Sequence, residues 1–198
     1  MIPFNVILFD GFETLDAFGP VEIIGKIPKA YTLGYFSMSG GVVLSSHQVS
    51  VNTLSFSEID ALGVLLIPGG MGTRKLVDDN DFIEKIKTLS QKAPYVLTVC
   101  TGSALLAKTG LLRGKSATSN KLAFDWVCDN DNDVNWVRQA RWVKEDKYYT
   151  SSGISAGIDM TLGFISDMHG EKAANEICKY TEYIWNRDKA NDPFAQLD

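Results

Sequence analysis

The feature that most constrains this chain is a set of short, largely apolar runs, each ended abruptly by small or turn-forming residues. Phe4 to Phe9 is closed by Asp10-Gly11, Val64 to Ile67 by Pro68-Gly69-Gly70, and Tyr95 to Val99 by Cys100-Thr101-Gly102-Ser103-Ala104. Such runs read as strands buried on both faces, and sheets of such strands are mostly parallel and covered by helices on either side. The intervening segments carry helical spacing. Asp81 to Gln91 places Phe82, Ile83, Ile86 and Leu89 on one face. Helices are also predicted from about Pro20, with Gly19 as N-cap and Glu22 as third residue, and over Ser103–Lys108, Leu122–Cys128, Ser155–Met168 and Glu171–Trp185. Further strands are expected at Tyr31–Met38, Trp136–Val143 and Tyr148–Ser151, with a hairpin from Val42–Leu44 and Gln48–Asn52. The pattern is an α/β fold with a mostly parallel central sheet sandwiched between helices, in one domain over residues 1–198. Ligands in such sheets bind beyond the carboxyl ends of the strands.

Composition limits the partners. The chain has 198 residues and a formal net charge of −5, which disfavours nucleic acid or an anionic membrane as the principal partner. Cys100, Cys128 and Cys178 form no C-x-x-C pair, so a zinc ribbon or dithiol motif is not expected, and the pattern fits a reducing compartment. The N-terminus lacks a basic region and its apolar run is too short for a signal peptide, so the cytoplasm is the expected location.

The strand ends hold the candidate chemistry. Cys100 directly follows a buried strand and precedes a helix, the mechanics of a nucleophile elbow. The small Gly102-Ser103-Ala104 run lets that helix sit close to the strand, and a helix N-terminus favours a thiolate and a lowered pKa. The alternative is a buried, inert cysteine. Gly69-Gly70-x-Gly72 lacks the Lys-Ser/Thr of a phosphate loop; it is either a tight turn or a backbone amide aimed at charge developing beside Cys100. Asp16 is placed in a loop before Gly19-Pro20, either as a solvated turn residue or as a proton donor held partly protonated near a thiolate. Glu22 reads as a helix-terminus residue.

Histidine is sparse. His47 falls in the predicted hairpin, away from the carboxyl edge, and His169 ends a helix beside Gly170, so no Cys–His pair is evident. Asp129, Asp131 and Asp133 lack the glycine and glutamate of a calcium loop, with Val134 and Ala140 at those positions, and read as a solvated loop. Trp126, Trp136, Trp142 and Trp185 read as core or interface fillers. No metal or cofactor motif is found.

Several ordered motifs resemble the ThiJ/PfpI superfamily. They are Pro68-Gly69-Gly70, Val99-Cys100-Thr101-Gly102-Ser103, Gly110-Leu111-Leu112-x-Gly114-x-x-Ala117-Thr118 and Ser152-Gly153-x-Ser155-Ala156-Gly157-x-Asp159. Leu15-Asp16-x-x-Gly19-Pro20-x-Glu22 with Cys100-Thr101 resembles the isonitrile hydratase branch and the related domain of some AraC-type regulators. The resemblance implies a flavodoxin-like, class I glutamine amidotransferase-like fold and a homodimer. It implies Cys100 as nucleophile, Asp16 as its hydrogen-bonded acid, and Thr101 and Gly70 on the oxyanion side. Gly69, Asn120 and Ser152 are possible pocket residues. The peptidase branch has histidine after its cysteine, where this chain has Thr101, which disfavours peptidase or amidotransferase chemistry. The hydratase branch usually reads Ala-Thr-Thr-His-Trp where this chain has Ala117-Thr118-Ser119-Asn120-Lys121, so the substrate is open. The implied activity is cysteine-dependent hydration of a small electrophile, an isonitrile, to an N-substituted formamide, without cofactor. Glyoxalase-like conversion of 2-oxoaldehydes and a non-enzymatic ligand or redox sensor are the alternatives.

Overall fold

The structure is a computed structural model and describes residues 1–196. Its centre is an eight-stranded sheet of β1 (Ile2–Ile7), β2 (Tyr31–Ser37), β3 (Ser39–Leu44), β4 (Ser50–Ser55), β5 (Val64–Ile67), β6 (Val96–Val99), β9 (Trp142–Glu145) and β10 (Tyr148–Ser151). Their order across the sheet is β3-β4-β2-β1-β5-β6-β10-β9. All neighbours are parallel except the two edge pairs, β3 with β4 and β9 with β10. Every residue of β5, β6 and β10 is buried, as strands covered on both faces require. Ser116–Ala117 (β7) and Asn135–Trp136 (β8) form a separate two-stranded ribbon. This is the expected flavodoxin-like arrangement.

Two helical groups cover the sheet. Helix α1 (Thr14–Gly25) packs on α6 (Ala156–His169), which packs on α7 (Glu171–Thr181). Helix α4 (Gly102–Lys108) packs on α2 (Thr73–Leu76), α3 (Asn80–Lys92) and α5 (Phe124–Cys128). Strand β6 runs straight into α4 because Gly102 has no side chain; a Cβ there would collide with the Ile67 carbonyl. The strand order reverses between β1 and β5, so the crevice beyond their carboxyl ends is a topological switch point.

Three expectations change. Helix α1 begins at Thr14, not near Pro20, so Gly19 and Pro20 lie inside it and Asp16 sits in its first turn rather than in a loop. Gly19 faces α6; a Cβ there would come within 2.9 Å of Ile158 Cγ1. Glu22 is therefore no terminus residue but an exposed mid-helix one, paired with Lys26 at 2.8 Å. The expected strand Trp136–Val143 is two strands, β8 and β9, separated by a turn from which Arg141 points inward to Asp159 at 2.7 Å. Finally, α2 and β7 have no counterpart in the sequence reading, and α7 ends at Thr181 because Glu182 adopts a left-handed conformation.

Candidate active site

Cys100 lies between β6 and α4 with φ of +57°, in the left-handed region. That conformation costs a non-glycine residue roughly 1–3 kcal/mol. Its backbone is clamped on both sides. The N–H donates to the carbonyls of Ser151 (3.2 Å) and Ser152 (3.3 Å), and the carbonyl accepts from the hydroxyls of Ser103 (3.0 Å) and Ser119 (2.8 Å). Each neutral hydrogen bond contributes about 0.5–1.5 kcal/mol, so the two hydroxyls act on the scale of the strain. The elbow expected from the sequence is thus present. It brings the thiol to a cavity of about 280 Å³, lined also by Glu13, Gly70, Arg74, Thr101, Asn120 and Ile154.

Asp16 lies beside Cys100, from the first turn of α1 and beneath the cavity wall. Its side chain is fully buried, and Oδ2 accepts the Gly69 N–H at 3.0 Å. Oδ1 has no conventional hydrogen-bond partner, which is costly for an ionised carboxylate. Burial therefore raises the Asp16 pKa to about 8, against the Gly69 amide, which lowers it; the Glu13 charge raises it and the Cys100 thiol lowers it as a donor. Gly69 makes this approach possible, because a Cβ there would sit 2.6 Å from the Thr101 nitrogen and 2.9 Å from Asp16 Oδ2.

The thiol does not behave as the helix N-terminus suggested. Burial and the Asp16 carboxylate raise the Cys100 pKa, and the Thr101 amide and hydroxyl offset them only partly. Helix α4 has seven residues, so its dipole is short, and the loss of solvent wins. The resting pair at neutral pH is a thiol beside a largely protonated carboxyl, not a thiolate.

The Gly70 amide is also differently engaged. Gly70 has φ of +119°, which suits glycine, and its N–H donates to Thr101 Oγ1 at 3.1 Å. It is therefore not free to receive an oxyanion while that bond stands. Thr73 reinforces the turn by donating to the Gly70 carbonyl at 2.7 Å. The Thr101 N–H, by contrast, acts directly on the Cys100 sulfur.

Asn120 borders the thiol cavity and also a neighbouring one of about 260 Å³, where Ser152, Leu15 and Phe194 are found. Ser152 thus lines the second cavity, and its N–H is held by the Arg141 carbonyl at 2.8 Å. Lys121 turns away from the thiol into the protein, donating to Thr118 Oγ1 (2.9 Å) and the Ala140 carbonyl (2.7 Å), with Asp192 at 3.9 Å.

Four features escaped the sequence reading. Glu13 and Arg74 both line the thiol cavity. His47 is not remote: its Nδ1 lies 3.0 Å from Thr14 Oγ1 and 3.5 Å from Glu13 Oε1, at the carboxyl edge. Asp131 is buried rather than solvated, and accepts from Arg113 Nε at 2.9 Å. His169 does end α6, with Nε2 2.8 Å from the Tyr31 hydroxyl.

Comparison with known proteins agrees with this fold. A family model described as the DJ-1/PfpI family matches residues 4–167. An isonitrile hydratase from Pseudomonas putida is 29% identical over 178 residues, covering 89% of this chain and 76% of the relative. A deglycase from Pyrococcus abyssi is 28% identical over 138 residues, covering 62% of this chain and 83% of the relative. The crystal structure of a ThiJ/PfpI family protein from Pseudomonas syringae superposes with a TM-score of 0.81 at 23% identity, covering 100% of this chain and 79% of that one. With its elbow cysteine at the end of β6 and its mostly parallel sheet, the chain belongs to the DJ-1/PfpI family.

Proposed function

We propose that this chain is a cysteine-dependent hydratase of small electrophiles, acting on an isonitrile to give an N-substituted formamide. The observation that carries the reading is the buried Asp16 carboxyl, with a pKa of about 8, set against the strained Cys100 thiol. A carboxyl in that range can both take and return a proton near neutral pH.

The step order follows. Asp16, when ionised, takes the thiol proton as sulfur attacks the terminal isonitrile carbon. A C–S bond forms, and the acid returns the proton to that carbon, giving a thioimidate. Water then adds to the carbon, the nitrogen is protonated, and the C–S bond breaks to release the formamide and the thiol. The Thr101 N–H, whose pull on the sulfur lowers the thiol's pKa, is a backbone donor for charge developing there.

The similarity to an isonitrile hydratase over most of the chain favours this chemistry. The deglycase relatives favour 2-oxoaldehyde conversion as the second reading, on the same thiol. The resemblance further implies a homodimer with no cofactor. The test is formamide formation from simple isonitriles, with methylglyoxal assayed in parallel. Turnover of isonitriles by the wild type and none by Cys100→Ala supports the proposal; turnover of methylglyoxal alone replaces it with the second reading.

A further inference from the structure

Arg74 differs from every other arginine of the chain. Of the five arginines in the sequence, Arg113, Arg138, Arg141 and Arg187 each hold a carboxylate, from Asp131, Asp125, Asp159 and Glu171 respectively. Among the described residues Arg74 has no such partner, although it is half-buried. Its guanidinium is instead held flat, 3.4 Å from the centroid of the Trp126 ring. Stacking on an indole occupies a face of the guanidinium and leaves its edge N–H donors unused.

That cation lines the same cavity as the Cys100 thiol. It is close enough that a charge on Cys100 strengthens its hold on its proton, against burial, which weakens it. An unpaired, partly desolvated guanidinium facing a cavity is poised for an anionic group, and its planar fork matches the two oxygens of a carboxylate. The cavity, about 280 Å³, has room for roughly nine groups of water size at about 30 Å³ each. The cavity therefore has room for one small molecule carrying both a carboxylate for Arg74 and an electrophilic carbon for Cys100.

We propose that Arg74 is the anion receptor of this pocket and that the substrate is a small electrophile carrying a carboxylate. This rests on the reading that the cavity delivers substrate to Cys100, but it does not require that the substrate be an isonitrile. Glu13 lines the same cavity and its carboxylate would repel an anionic group, so Arg74 is the place in the cavity for the substrate's carboxylate.

The test separates charge recognition from catalysis. Cys100 is alkylated with iodoacetate and with iodoacetamide, which differ in charge but not in mechanism: sulfur displaces iodide and the thiol proton goes to solvent. Labelling is read by mass spectrometry of the Cys100 peptide in the wild type, Arg74→Gln and Arg74→Lys. The iodoacetate-to-iodoacetamide rate ratio is expected to fall about tenfold in Arg74→Gln, the scale of one charge-assisted hydrogen bond, and to be intermediate in Arg74→Lys. The iodoacetamide rate, measured in each protein, absorbs any effect of the lost cation on the thiol itself, so that the ratio reports charge recognition alone; circular dichroism and urea melts report that the variants are folded. An equal ratio in all three proteins overturns the proposal. Acetate is expected to protect Cys100 more than equimolar inorganic phosphate does, and stronger protection by phosphate overturns the carboxylate assignment. Isocyanoacetate and its methyl ester are then assayed for hydration. A preference for the acid that is lost in Arg74→Gln supports the proposal, and wild-type turnover of the ester alone contradicts it. Should neither be hydrated while the alkylation ratio still depends on Arg74, the receptor stands and the isonitrile reading falls.

Discussion

The Asp16 carboxyl and the Cys100 thiol are buried side by side, and burial raises the proton affinity of both; the Asp16 charge raises that of Cys100 further, while the thiol, as a donor, lowers that of Asp16. The two groups come from different strand ends, after β1 and after β6, and meet at the switch point of the sheet. The pair holds two protons when resting, and the proposed chemistry needs it to hold one.

Activity should rise with pH toward about 8. Below the Asp16 pKa of about 8 the pair keeps both protons and the acid cannot accept the thiol proton. One proton leaves as pH rises through that value, and the reactive state appears. At still higher pH the second proton leaves, the acid can no longer donate, and activity falls again. A kcat/KM profile with its acid limb centred near pH 5 would contradict this.

Asp16 should cost stability where it serves chemistry. Its folded pKa is raised to about 8, above the usual carboxylate range, so between about pH 4 and pH 8 the folded state binds more protons than the unfolded one. Stability contributed at this site is therefore present at low pH and lost as pH rises through 8. Asp16→Asn keeps an acceptor for the Gly69 N–H and removes the buried charge. It should raise stability at pH 8 by roughly 1–3 kcal/mol, with little gain at pH 4, while abolishing hydration. Urea melts at the two pH values measure the difference.

The elbow should depend on Ser119. Its hydroxyl donates to the Cys100 carbonyl at 2.8 Å, and both residues are buried. Ser119→Ala should lower stability by about 1–2 kcal/mol, as one buried acceptor loses a donor. It should also reduce kcat more than it raises KM, because the thiol is misaimed while the cavity walls remain. A variant with wild-type kcat would show that Ser103 alone holds the strained conformation.

The C-terminal segment should be tied down by Asp192. This residue is buried at 2% exposure and lies 3.7 Å from Arg141 Nη1 and 3.9 Å from Lys121 Nζ. Asp159 is the stronger partner of Arg141, at 2.6 Å, and also accepts from Tyr183 and the Asn186 N–H. Asp192→Ala leaves two buried cations short of an anion, and should cost about 3–5 kcal/mol. Faster amide exchange near residue 194, beside the second cavity, would accompany the loss.

Much of this was legible in the sequence because apolar runs and their terminators are local signals. Val64–Ile67 and Tyr148–Ser151 stand as strands with the bounds read from the residues, and Cys100 stands at the elbow its neighbours implied. What was missed depends on contacts between distant segments. Pro20 reads as a helix start, but α1 carries it inside and buried, directly after Gly19, whose missing side chain admits Ile158. Arg74 sits in a four-residue helix too short to show a period, and its role rests on Trp126, which belongs to another element. The Cys100 pKa moves up rather than down because burial beside an acid, which is not visible in sequence, outweighs the helix N-terminus, which is.

The pH dependence of Cys100 alkylation by iodoacetamide, in the wild type and Asp16→Asn, tests the coupled pair most directly. The account predicts wild-type labelling that is slow at neutral pH and rises only above the range of a free thiol, with Asp16→Asn shifted to lower pH once the opposing charge is gone. Rapid wild-type labelling below pH 8, unchanged by Asp16→Asn, would contradict it.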